Sequence, residues 1–114
     1  MAQEDKNREP RSLEIHFGDL TEYIHGDKVQ TFVILELGED NWFNVSAVGK
    51  TPDGRTVLAI PGTSGPEFVH KIIGRYTLDQ VLDGFRNLFD GNIPQKIVDS
   101  MLENSKKPSR VISY

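Results

Sequence analysis

Three histidines, His16, His25 and His70, are the side chains of this sequence best suited to acid–base or metal chemistry. No two of them have the i, i+4 spacing that sets a pair of imidazoles on one helical face, so the spacing predicts no metal site. An enzyme built on this chain would have to join one of them to a carboxylate distant in sequence. Cysteine is absent, which excludes disulfides, thiolate-bound zinc and iron–sulfur centres. No serine occupies a nucleophile elbow, and no glycine-rich run forms a phosphate loop. Gly62-Thr63-Ser64-Gly65 stands before an expected helix start, where backbone N–H groups can hold an anion. No lysine or arginine follows closely to complete such a site, so the segment reads as a loop capped by Ser64. Glu39 and Asp40 are adjacent acids in a tight turn, where carboxylates are usually solvated. The regularly spaced oxygen ligands of a calcium loop are not present. The residues therefore predict no catalytic centre, no cofactor and no metal.

Charge is the more informative property. The net charge of −4 is unevenly spread. Residues 1–11 balance to zero, and residues 105–114 carry Lys106, Lys107 and Arg110. Residues 12–104 hold fourteen acids against seven bases, a net of −7. A body of that sign repels nucleic acid, whose phosphates dominate binding. It attracts a basic protein, although net negative charge also serves solubility alone. Glu36, Glu39, Asp40, Trp42 and Asp53 cluster around the expected hairpin turns. An aromatic anchor in a charged surround suits docking onto a basic partner, so these five are the candidate partner-binding residues. The alternative places Trp42 in the core and leaves the acids solvated.

The elements that would carry these residues follow from periodicity. Residues 1–11 have little to bury and read as a disordered tail. Leu13, Ile15 and Phe17 alternate with Glu14 and His16 as in a strand. Asp19 is placed to cap a short helix carrying Leu20, Tyr23 and Ile24 and ending at Gly26. Val29 to Leu37 is the strongest strand, with Val33, Leu35 and Leu37 on one side and Phe32 and Ile34 on the other, covered on both faces. Trp42 to Val48 returns beside it, and Pro52-Asp53-Gly54 turns the chain into a third strand over 56–60. Pro66 opens an expected helix through Ile73. Thr77 and Gln80 form a capping box for the clearest helix, with Leu78, Val81, Leu82, Phe85, Leu88 and Phe89 as its apolar stripe. Ile97, Val98, Met101 and Leu102 mark another helix after Pro94. Residues 105–114 read as a basic tail in which Val111-Ile112 is able to pair as an edge strand. The expected fold is a single α+β domain over 12–104: an antiparallel β-meander of about four strands with two to three helices packed on one face. The polar first ten residues and the absence of a long apolar run predict a soluble cytoplasmic protein with no membrane partner.

Two family resemblances bear on function. Asn44-Val45-Ser46-Ala47-Val48-Gly49 resembles the second signature of PilZ domains, which implies cyclic di-GMP as a ligand. The first signature of that family is two arginines separated by three residues, whereas Arg8 and Arg11 here are separated by two. The layout from about Phe32 to Gln95 resembles small bacterial immunity proteins of polymorphic toxin systems. It rests on the three-strand meander, the helix introduced by Tyr76-Thr77-Leu78-Asp79-Gln80, and its closure through Phe89-Asp90-Gly91-Asn92-Ile93-Pro94. After Pro94 a further helical pattern stands where that family has a short strand. This resemblance implies a non-enzymatic inhibitor that binds a basic toxin domain.

Overall fold

A computed structural model describes residues 12–38, 42–65, 69 and 71–113. The expected tail over 1–11, the turn residues Glu39 and Asp40, and His70 lie outside the described residues. The fold is sheet-rich: the described residues form eight strands, all antiparallel, and two helices. In chain order these are β1 (Ser12–Ile15), β2 (Asp19–His25), β3 (Lys28–Leu37), β4 (Phe43–Lys50), β5 (Thr56–Leu58), β6 (Gly62–Ser64), β7 (Ile72–Arg75), α1 (Leu78–Leu88), α2 (Gln95–Asn104) and β8 (Arg110–Ser113). The main sheet runs β5-β4-β3-β2-β7, with β6 also on β4, and β1 pairs with β8 in a separate ribbon.

The meander expected from sequence is present as β2 to β5, but its first strand is not the expected one. Asp19–His25 is β2 rather than a short helix. It pairs with β3 from Leu20↔Val33 to His25↔Lys28. A lone helix of two turns has little stability of its own, whereas the ladder gives each of these residues a backbone neighbour. The turn is the two residues Gly26-Asp27, and Gly26 takes a left-handed φ of 65°. Glycine at the first central position suits a type II′ hairpin, whose twist matches the flanking strands.

The helix expected up to Ile73 is also replaced, over residues 72–75, by β7. It pairs along the free edge of β2 with Asp19↔Arg75 and Thr21↔Ile72. Two adjacent β-branched isoleucines suit a strand, one facing each way: Ile72 packs into the core and Ile73 is exposed. Gly62–Ser64, expected as loop, is a strand on β4. The C-terminal segment is not a tail throughout. Arg110–Ser113 pairs residue for residue with β1, Leu13 opposite Ile112, and Ile112 is fully buried.

Strand β3 is covered on both faces, as its continuous apolar run requires. Val33 and Leu35 belong to one cluster with Leu58, Val81, Leu82, Phe85 and Met101, beneath the helices. Ile34 belongs to another with Ile15, Phe43, Val69 and Ile112, beneath the β1–β8 ribbon. A bulge between Ile34 and Glu36 shifts the β3–β4 register by one residue. The extra residue reverses the alternation. Leu37 therefore joins the cluster of Ile34 instead of the Val33 side expected from strict alternation, and Glu36 lines a cavity beside Leu35 under α2.

Helix α1 behaves as its pattern predicts, whereas α2 buries Met101 and Asn104 and leaves the expected stripe residue Leu102 exposed. Thr77 accepts from the Gln80 N–H at 3.2 Å, and the Gln80 side chain accepts from the Thr77 N–H at 2.8 Å. Helix α1 buries Val81, Leu82, Gly84 and Phe85. Gly84 is required by close approach: a Cβ there would stand 2.5 Å from Leu58 Cγ. Its absence lets α1 lie directly on β5. No helix among the described residues is long and apolar enough to cross a membrane.

Candidate functional site

Of the predicted partner-binding residues, Glu36, Trp42 and Asp53 are described, and these three do not share one surface. Glu36 and Trp42 lie at one end of β4, and Asp53 lies in the turn beyond its other end. Eight residues of strand separate them, roughly 26 Å at about 3.3 Å per residue. The two described acids are also already engaged. Glu36 accepts from Asn44 Nδ2 at 2.6 Å and from Lys107 Nζ at 3.4 Å. Asp53 accepts from Arg55 Nε at 3.0 Å and from the Thr51 hydroxyl. Those bonds, the Thr51 hydroxyl first and Arg55 second, hold its carboxyl below the usual aspartate range. Trp42 is 54% exposed, so it is not a core residue.

One histidine does meet an acid. Asp19, 1% exposed, accepts from Arg75 Nε at 2.7 Å through Oδ1 and from the His16 backbone N–H at 2.8 Å through Oδ2. Arg75 also stands 2.9 Å from His16 Nδ1, and Glu14 lies 3.8 Å from His16 Nε2. The arrangement uses both Asp19 oxygens and places a guanidinium N–H on the imidazole. It ties the β1–β2 turn to the end of β7. Nothing in the sequence marks this cluster, because Asp19 and Arg75 are 56 positions apart. Among the described residues, no group of three or more His, Asp or Glu is arranged to hold a metal ion.

The carboxylates without a basic partner gather elsewhere. Ion pairs among the described residues occupy Glu14, Asp19, Glu22, Glu36, Asp53 and Asp83. Asp79 opens α1, Asp90 follows it, and Asp99 and Glu103 stand on α2. All four are exposed and in no ion pair among the described residues. Asp27, at the tip of the β2–β3 hairpin, is the fifth acid of this kind. Among the described residues, four of the five acids without an ion pair therefore stand on the helices or directly after one. Sequence spacing did contain part of this signal: Asp79, Asp99 and Glu103 fall off the apolar stripes of their helices.

Beside that layer, α1 and the β4–β5 turn enclose a groove of about 400 Å³ lined by Arg55, Thr56, Tyr76, Gln80, Asp83 and Arg86 among others. Its two guanidinium groups are each matched by an acid, Asp53 for Arg55 and Asp83 for Arg86. Asn87 stitches the groove floor, donating to the Thr56 carbonyl at 2.7 Å and accepting from Arg55 at 3.1 Å. The signature-like segment on β4 divides: Asn44 bonds Glu36 and Thr63, while the buried Ser46 hydroxyl has no hydrogen-bond partner among the described residues. No known protein family, curated protein or solved structure matches the chain.

Proposed function

We propose that this protein is a non-catalytic binding module for a basic protein, and that it docks through the outer face of α1 and α2. The supporting observation is the set of exposed carboxylates Asp79, Asp90, Asp99 and Glu103, free of ion pairs among the described residues and gathered on one layer. Unpaired exposed charge gives long-range attraction that paired charge cannot, and speeds encounter with a partner of opposite sign. Leu102, exposed on α2 between Asp99 and Glu103, supplies an apolar contact inside the charged surround. The resemblance to immunity proteins makes a basic toxin domain, held as an inhibited complex, the first partner class to test.

The test is capture of partners from lysate by the wild-type chain, by a variant carrying Asp79→Asn, Asp99→Asn and Glu103→Gln, and by an Asp27→Asn control. The wild type and the control should retain a basic protein at about 50 mM salt and lose most of it at about 300 mM, where screening is stronger. The helical variant should lose it at both. Equal capture by the helical variant, or binding indifferent to salt, refutes the reading.

A further inference from the structure

We propose that the cavity between β3 and α2 binds a free α-amino acid with a small apolar side chain. This inference is independent of the docking surface. The cavity is about 210 Å³, room for roughly seven water molecules at about 30 Å³ each. It is lined from α2 by Lys96, Ser100 and Asn104, which at i, i+4 and i+8 share one helical face. None of these three side chains makes a hydrogen bond or ion pair among the described residues.

Asn104 stands at the inner end of that row. The residue is only 8% exposed, and its carboxamide makes no hydrogen bond among the described residues. A ligand carboxylate would accept from its N–H donors. The same carboxylate would accept from the Ser100 hydroxyl and pair with the Lys96 ammonium. Across the cavity, Glu36 offers a carboxylate whose bonds to Asn44 and Lys107 leave acceptor capacity for a ligand ammonium. Leu35, Ile97 and Met101 form the apolar floor. Opposite charges at the two sides, donors beside the cation and an apolar base between them describe a small zwitterion.

The experiment is a titration of the isotopically labelled full chain with leucine, followed by amide and side-chain NH₂ resonances. N-acetylleucine lacks the ammonium and leucinamide lacks the carboxylate, and both serve as matched probes. Leucine should shift Ser100, Met101 and the Asn104 side chain saturably. Each blocked analogue should bind about tenfold more weakly or worse, the expected loss of one charge-assisted contact. Lys96→Ala, at an exposed position, should weaken leucine by a similar factor with thermal stability unchanged. Asn104→Leu should abolish the shifts, and if it does not fold the Lys96→Ala result decides. Absence of saturable shifts at about 20 mM leucine, an affinity too weak to be specific, overturns the proposal. So do equal shifts with the blocked analogues, or leucine binding unaffected by Lys96→Ala.

Discussion

Asp19 is the residue whose replacement most sharply tests how this fold is held. Its carboxylate is 1% exposed and joins β2 to Arg75 of β7 and to the His16 N–H of the preceding turn. Asp19→Asn keeps the shape and one acceptor oxygen, so one of the two bonds survives. The other is lost, and an NH₂ group then faces a donor. Loss of a hydrogen bond to a charged group costs about 1.5–3 kcal/mol. Severing an enclosed ion pair costs about 3–5 kcal/mol, but Arg75 is half exposed and regains water, so the lower range applies to Asp19→Asn. Arg75→Met leaves the opposite situation: the surviving charge is the buried one, with little access to water. It should therefore cost more than Asp19→Asn, about 3 kcal/mol or above. That is a large part of the roughly 5–15 kcal/mol by which a domain of this kind is stable. Urea unfolding followed by circular dichroism measures both, since Trp42 is half exposed and a poor reporter of burial. The double variant should cost clearly less than the sum of the singles. A cost below about 0.5 kcal/mol for Asp19→Asn, or strict additivity of the pair, would falsify this account of the cluster.

Other expectations follow from single contacts. Gly84→Ala places a methyl group against Leu58 and should cost about 1–3 kcal/mol by overpacking, read as a lower urea midpoint with unchanged slope. Thr77→Ala removes the cap bond to the Gln80 N–H and should cost about 1 kcal/mol, with faster amide exchange confined to the first turn of α1. Phe85→Ala empties a fully buried site at the centre of the helix-side cluster, with an expected cost of about 3–5 kcal/mol. Asp53 titrates below the ordinary aspartate range because of Thr51 and Arg55. A depressed carboxyl stabilises the fold above its unfolded titration range, and that contribution is lost as pH falls through its folded value. Carboxyl-detected NMR should show the Asp53 titration move upward in Thr51→Ala, and by less in Arg55→Ala.

Local chemistry settled much of this protein before any tertiary contact is considered. The capping box at Thr77, the apolar stripe of α1, the second helix after Pro94 and the two-sided burial of Val33, Ile34 and Leu35 follow from patterns a few residues long. Even the β2–β3 hairpin had a local mark, the Gly26-Asp27 pair between two strand-forming runs, which helical spacing of Leu20, Tyr23 and Ile24 obscured. Other features have no local cause. Ile72–Arg75 is a strand because the edge of β2 offers unsatisfied backbone groups beside it, and Arg110–Ser113 is ordered by β1, far away in the chain. The bulge after Ile34 turns Glu36 toward α2 and so creates the lining of a cavity. Which carboxylates are neutralised was equally a tertiary matter. Lys107 reaches Glu36 across 71 positions and Arg75 reaches Asp19 across 56. Charge totals are additive along a chain, but pairing depends on distance in space, and only the fold sets that distance.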